Sequence, residues 1–239
     1  MYSRLTLAPA DGSILPSDIL PGQFVQVAAD TPGVFLRRPI SINDVDRDMN
    51  TIDLLIRRAG AGTEAMISRK EGDLMNILLP LGNGFSTEVP AGSRLLLIGG
   101  GVGVAPLLYL GRVLKSLGHK PEFLLGARSA SDVLELDDFT RIGTVHVSTE
   151  DGSMGEQGLV TAHSALNGEI DRIYCCGPAP MMKAVARIAR ERGVDCEVSL
   201  ENMMACGLGA CLCCVENTVK GNVCVCTEGP VFNINLLNW

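Results

Sequence analysis

Apolar residues fall in short runs broken by turn formers through the first third of the chain, and in longer runs after it. Phe24-Val25-Gln26-Val27, Pro39-Ile40-Ser41-Ile42, Ile52-Asp53-Leu54-Leu55-Ile56 and Met75-Asn76-Ile77-Leu78-Leu79 are each flanked by Gly, Pro, Asn or Asp. Segments this brief, bounded by turn residues, predict strands of a small antiparallel β-barrel over residues 1–90. At Arg94 the pattern changes. Leu95-Leu96-Leu97-Ile98 is a continuous apolar strand that runs through glycines into a helical pattern ending near Leu117. Glu122 to Gly126, Thr144 to Ser148 and Arg172 to Cys176 predict further strands, and a helix follows the last from about Pro180 to Arg192. Strands alternating with helices predict a doubly wound, parallel α/β domain over residues 91–196. Beyond Val198 periodicity gives way to cysteine and glycine, which marks a small third module over residues 197–239. The longest apolar stretch, Leu95 to Leu110, is interrupted by Gly99, Gly100, Gly101, Gly103 and Pro106. It is too short and too broken to predict a membrane-spanning helix.

Composition narrows the function classes. The 239 residues are 46% apolar and 20% charged, enough for two modest domains with their own cores and against long disorder. Aromatics are 4% and the formal charge is −7, so neither base stacking nor phosphate-backbone tracking is expected, and nucleic acid is excluded as a partner. Met1 to Ala10 has no basic segment followed by an apolar run, so a reducing, cytoplasmic setting is the expectation. Nine cysteines are present, none before Cys175 and six of them from Cys206 to Cys226. In a reducing compartment such a cluster reads as metal ligands, and an odd count cannot pair completely.

Four residues separate Cys206 from Cys211, two separate Cys211 from Cys214, and eleven separate Cys214 from Cys226. That is the spacing of a plant-type [2Fe–2S] loop. Gly207, Gly209 and Ala210 are small enough to let the backbone curl over a cluster and aim N–H groups at its sulfurs. The alternative is zinc held by Cys211, Cys214, Cys224 and Cys226. Cys175, Cys176 and Cys196 read as small apolar residues on strands. Gly99, Gly100, Gly101 and Gly103 stand at a strand end that opens a helix, a place suited to pyrophosphate, although they could simply pack helix on sheet. Cys176-Gly177-Pro178 is a second strand-to-helix switch, expected at the same sheet edge. In the barrel, Arg37-Arg38-Pro39-Ile40-Ser41 puts a guanidinium and a hydroxyl on one extended segment, and Gly62-Thr63 enters a short helix. Both can grip phosphate, and each alone is also a common surface feature.

Arg38-Pro39-Ile40-Ser41, Gly62-Thr63, the Gly99 to Pro106 turn and Cys176-Gly177-Pro178 resemble the ferredoxin–NADP reductase superfamily. Ser199-Leu200-Glu201, Met204 to Cys211 and Cys226-Thr227-Glu228-Gly229-Pro230-Val231-Phe232 narrow the resemblance to the electron-transfer subunits of NAD-linked bacterial dihydroorotate dehydrogenases. The resemblance implies FAD held by Arg38, Pro39, Ile40 and Ser41, with Leu55, Ile56 and Arg57 along its adenosine side and Gly62 and Thr63 at its phosphates. It implies NAD at Gly99, Gly100, Gly101, Gly103, Cys176, Gly177 and Pro178, and cluster ligands at Cys206, Cys211, Cys214 and Cys226. Cys213 and Cys224 become spare thiols. Arg128 suits a 2′-phosphate and Asp132 suits ribose hydroxyls, so the choice of NAD over NADP comes from the resemblance. The implied partner is an FMN-containing catalytic subunit in a heterotetramer of two copies of each chain, with dihydroorotate oxidised there. His119, His146 and His163 offer no recognisable catalytic setting in this chain. Two rival readings stand beside it: a related flavin and iron–sulfur subunit serving a transhydrogenase, hydrogenase or sulfide-type reductase, and a zinc-binding interaction module with no redox role.

Overall fold

A computed structural model describes residues 2–239. Five strands, β1 (Tyr2–Leu7), β2 (Phe24–Val27), β3 (Arg38–Asp46), β4 (Thr51–Arg57) and β5 (Ile77–Leu81), pair antiparallel in the order β1-β4-β3-β2-β5. They curl around Val25, Val27, Ile42, Ile52, Leu54, Ile56 and Met66, all but inaccessible to solvent. A register shift between Ile42 and Asp44 lets β3 bend as the sheet wraps its core. Helix α1 (Ala61–Ile67) follows β4. The expected strands of the first third are all present, and β1 joins them although its sequence carries little apolar alternation.

The α/β region contains β6 (Leu95–Gly100), α2 (Ala105–Ser116), β7 (Glu122–Ala127), α3 (Leu136–Ile142), β8 (Thr144–Thr149), β9 (Glu156–Gln157), β10 (Arg172–Cys176), α4 (Ala179–Arg192) and β11 (Asp195–Ser199). The tail adds a hairpin of β12 (Val215–Thr218) and β13 (Gly221–Cys224), a single turn α5 (Val225–Glu228) and β14 (Val231–Asn233). The large sheet runs β14-β11-β10-β6-β7-β8-β9, parallel except for β14, which lies antiparallel on β11. A boundary drawn after residue 196 therefore falls inside β11, and the tail returns to the large sheet through β14. Buried Val231 and Phe232 cover an edge that would otherwise expose apolar β11.

Chain order reverses at β6, which has β7 on one side and β10 on the other. Open α/β sheets bind ligands at the carboxyl ends of strands at such a switch point. Helix α2 ties this sheet to the barrel. Its Leu107, Leu108, Leu110 and Leu114 pack with the sheet, while Tyr109 turns to the barrel and donates to Ile19 O at 3.2 Å. Asn43 of β3, fully buried, donates to Ala105 O at 3.1 Å. No helix among the described residues is long and apolar enough to cross a membrane.

Candidate functional site

Two glycine turns meet at the switch point. A methyl group on Gly103 would stand 2.5 Å from Cys176 O, and one on Gly177 would stand 3.1 Å from Gly100 N. Only glycine lets the ends of β6 and β10 approach this closely. Gly101 adopts φ 55° and so turns the chain from strand into helix through the left-handed region. Gly99 lies deeper, where a methyl would meet Val104 at 2.7 Å, so its role is packing α2 onto the sheet.

A cavity of ≈ 240 Å³ opens between barrel and sheet. Phe24, Pro39, Ile40 and Ser41 form one wall with Leu55 and Arg57; Val102, Gly103 and Cys176 form another; Ser199 to Asn202, Met204 and Pro230 close it. A second cavity of ≈ 400 Å³ lies over the carboxyl ends of β6, β7 and β10, lined by Gly100, Gly101, Arg128, Asp132, Pro178 and Met181 among others. Arg57, Val102 and Glu201 line both, so the two spaces adjoin. Burial raises the Glu201 carboxyl above its ordinary range, and Arg57 opposes that shift.

Strand alternation divides the β4 residues. Leu55 and Arg57 face the first cavity, whereas Ile56 is sealed in the barrel core and presents no side chain to a ligand. Arg38, Gly62 and Thr63 sit together outside that cavity. The Arg38 guanidinium donates to Leu36 O at 2.8 Å, and a methyl on Gly62 would lie 3.0 Å from Arg38 Nε. Thr63 Oγ1 accepts from Ala59 N at 2.8 Å, ordering the entry to α1. Arg37 is structural: it donates to Gln26 O and to Asn76, which ties the β2–β5 edge. None of the three histidines lines either cavity. His163 Nδ1 instead accepts from Ala165 N at 2.9 Å, and His146 sits 3.3 Å from Glu122. Phe24 and Asn202 carry no motif of their own, whereas Glu201 and Met204 lie in the Ser199-Leu200-Glu201 and Met204–Cys211 segments.

The cysteine loop packs on the far side of the first cavity. Leu208 N donates to Cys206 Sγ at 3.3 Å, Gly209 N to Cys226 Sγ at 3.1 Å, and Cys226 N to Cys214 Sγ at 3.4 Å. Gly207 and Gly209 hold φ of 72° and 77°, which aims these N–H groups inward. Donation from Leu208 N, then from Cys211, brings the Cys206 thiol down to about 6. Burial, then Cys214, pushes Cys226 up to about 12. Among the described residues no three His, Cys, Asp or Glu side chains close on one point as a single ion requires. Cys206, Cys211, Cys214 and Cys226, brought to one loop and the turn beside it, are a donor set of the kind a binuclear iron–sulfur centre takes. Cys224 Sγ lies 3.8 Å from Gly209 O and donates to it, while Cys213 is exposed. Phe24 packs in the same apolar cluster as Cys214 and Cys226, and Met204 lines the cavity two residues before Cys206.

A family model described as "Iron-sulfur cluster binding domain of dihydroorotate dehydrogenase B" matches residues 201–238, and one described as "Oxidoreductase NAD-binding domain" matches residues 97–187. Over 231 residues the chain is 40% identical to "Dihydroorotate dehydrogenase B (NAD(+)), electron transfer subunit" of Shouchella clausii (strain KSM-K16), covering 94% of this chain and 88% of that one. The protein of the same name from Caldanaerobacter subterraneus subsp. tengcongensis is 44% identical over 218 residues, covering 89% and 84%. Among solved structures, an NADH-dependent reduced ferredoxin-NADP oxidoreductase superposes with TM-score 0.86 at 29% identity over 100% of this chain and 85% of that one. The flavohem-like FAD/NAD-binding domain of nitric oxide dioxygenase from Vibrio cholerae, at 24% identity and TM-score 0.66 over 82% and 92%, shares the fold.

Proposed function

The chain belongs to the family of dihydroorotate dehydrogenase B electron-transfer subunits, and from that membership we propose that it carries electrons between NAD and a catalytic partner subunit. The observation that carries the proposal is the continuity of three spaces. Arg57, Val102 and Glu201 line both cavities, and Phe24 and Met204 join the first cavity to the cysteine loop.

The residues fit the implied groups. The first cavity is mostly apolar, with Ser41, Arg57 and Asn202 at its polar edge, a setting for a flavin ring; Arg38, Gly62 and Thr63 would hold the phosphates of FAD. Gly100, Gly101 and Pro178 leave backbone room for the pyrophosphate of NAD in the second cavity, and Asp132 and Arg128 stand where a ribose would lie. Cys206, Cys211, Cys214 and Cys226 would ligate a [2Fe–2S] cluster. Deprotonating the buried Cys226 thiol needs a positive partner, which iron supplies. A flavin exchanges two electrons with a nicotinamide and single electrons with an iron–sulfur cluster, so FAD between the other two sites converts between them.

The protein's share is positioning. Val102 and the closely packed Gly103 and Cys176 set the distance between the cavities, and the solvent-exposed residues Arg57 and Glu201 line their junction with opposite charges. No histidine reaches either cavity, and the oxidation of dihydroorotate is assigned to the catalytic subunit. That subunit would carry FMN and assemble as two copies with two of this chain, the cysteine loop facing it.

The test is purification of the chain with its natural partner. Bound FAD, iron and acid-labile sulfide, together with dihydroorotate-dependent reduction of NAD by the complex, are the expected results. A colourless zinc protein defeats the proposal. A partner that lacks FMN or cannot oxidise dihydroorotate assigns the chain to a different reductase.

A further inference from the structure

Gln26 is fully buried, yet neither its Nε2 nor its Oε1 has a hydrogen-bond partner among the described residues. Roughly nine in ten buried polar groups in native proteins are paired, so a carboxamide with both ends free asks for an acceptor or donor from outside the chain. Its backbone is well accounted for. In the sheet it stands opposite Pro39 on β3 and Leu78 on β5, and Arg37 donates to its carbonyl at 3.3 Å. Only the side chain is orphaned.

Where that side chain goes is set by strand alternation. Val25 and Val27 point into the barrel core, so Phe24 and Gln26 project from the opposite face. Phe24 reaches the wall of the first cavity, and Gln26 reaches the cysteine loop. A methyl group on Gly207 would stand 2.7 Å from Gln26 Cγ and 3.0 Å from Gln26 Nε2. Gly207 directly follows Cys206 and takes φ 72°, so the loop both tolerates and requires a glycine where the amide presses against it.

We propose that Gln26 is a hydrogen-bond donor from the barrel, beside Gly207, to a sulfide sulfur of the [2Fe–2S] cluster held by the loop, and that it raises the reduction potential of that cluster. The inference rests on the electron-transfer reading above. No cysteine sulfur of the chain bonds Nε2, whereas the sulfide sulfur of a cluster is an acceptor from outside it, which matches the unpaired Nε2–H. A reduced cluster carries one more negative charge than an oxidised one, so a fixed donor favours the reduced form. Cluster potentials follow the hydrogen bonds made to their sulfurs and the surrounding burial. Gln26 would thus bias electron sharing between FAD and the cluster from a strand that also helps wall the flavin cavity.

The test uses the full chain loaded with FAD and cluster, comparing wild type with Gln26→Met and Gln26→Glu. Methionine keeps length and burial, removes the donor, and breaks no side-chain hydrogen bond within the chain. The readouts are the EPR g values of the reduced cluster and separate redox titrations of cluster and FAD. In Gln26→Met the reduced-to-oxidised ratio of the cluster at fixed potential should fall about tenfold, ~59 mV for one electron, with altered g values and an unchanged FAD potential. Gln26→Glu replaces a donor by an acceptor and should shift the cluster further the same way. An unmoved cluster potential in both variants, or a shift confined to FAD, overturns the inference while leaving the electron-transfer reading intact. A wild-type chain with no [2Fe–2S] EPR signal overturns the reading itself.

Discussion

Gly103→Ala is the most discriminating single perturbation of the switch point. Its new methyl would lie 2.5 Å from Cys176 O, 2.5 Å from Gly177 Cα and 2.6 Å from Gly177 N. All three are backbone atoms at the end of β10 and cannot rotate away. Ordinary contact begins near 3.4 Å, so β6 and β10 must part by roughly 1 Å at this point. Overpacking of that kind costs ~1–3 kcal/mol, and in a chain of this size each kcal/mol lowers Tm by about 2–4 °C. The functional cost is larger. Gly103 lines the first cavity and adjoins the residues shared with the second, so the gap alters the spacing between a flavin and a nicotinamide. A misplacement of ~1 Å can cost about a hundredfold in rate.

Gly100→Ala, three residues earlier on the same turn, is the control. Its methyl would meet Met181 Sδ at 2.6 Å, part of a flexible side chain that can move, and Pro178 Cδ at 3.2 Å, a contact that needs only a few tenths of an ångström of give. Gly100 has an ordinary extended backbone, so alanine adds no strain there. Thermal unfolding and stopped-flow reduction of the flavin by NADH should separate the pair. Gly103→Ala should lose several degrees in Tm and ~100-fold in the reduction rate. Gly100→Ala should keep its Tm and its limiting rate, with weaker NADH binding because Gly100 lines the second cavity. If Gly103→Ala matches wild type in both measurements, or if Gly100→Ala loses as much stability, the close approach of the two turns does not set the site.

Cys206→Ala should abolish the cluster signal in EPR while NADH-driven dye reduction persists in part, because flavin reduction precedes the cluster in that direction; loss of dye reduction with FAD still bound would refute the ordering. Tyr174→Phe removes the bond from the Tyr174 hydroxyl to Ser86 O at 2.8 Å and should cost ~1 kcal/mol, read as a Tm lower by a few degrees with NADH kinetics unchanged. Glu135 is held above its ordinary range by burial, with Asn43 donating to it at 2.9 Å and Arg4, Asp138 and Asp53 facing it. A carboxyl raised on folding adds stability that is present below its unfolded pKa and is lost as pH rises through the folded value. The Tm of Glu135→Gln minus that of wild type should therefore become more positive from pH 4 to pH 8, and a flat difference would remove Glu135 from the linkage.

The parts of this fold that could be read from residue order are those whose cause is local. Four strands of the barrel, the run Leu95–Ile98 into α2, and helix α4 each carry their own periodicity and stop signals, and the structure has them within a few residues. Where a distant segment supplies the environment, local pattern misleads. Leu54-Leu55-Ile56 is apolar throughout, so nothing in it tells which residues meet the cavity; that follows from the pairing of β4 with β3 and β1 and from α2 closing behind it. β14 lies in a tail with no repeating pattern, and its place on β11 depends on an edge left open by the rest of the sheet. Gln26 shows the effect most directly. In Phe-Val-Gln-Val the lone polar position reads as the solvent side of a half-buried strand, yet all four residues are buried. The cysteine loop, some 180 residues away in sequence, covers that outer face and converts an ordinary surface glutamine into an unpaired amide beside Gly207. A polar residue kept under such a cover is expected to have a partner that the chain itself does not provide, and a sulfide sulfur of the cluster held by the loop is an acceptor of that kind.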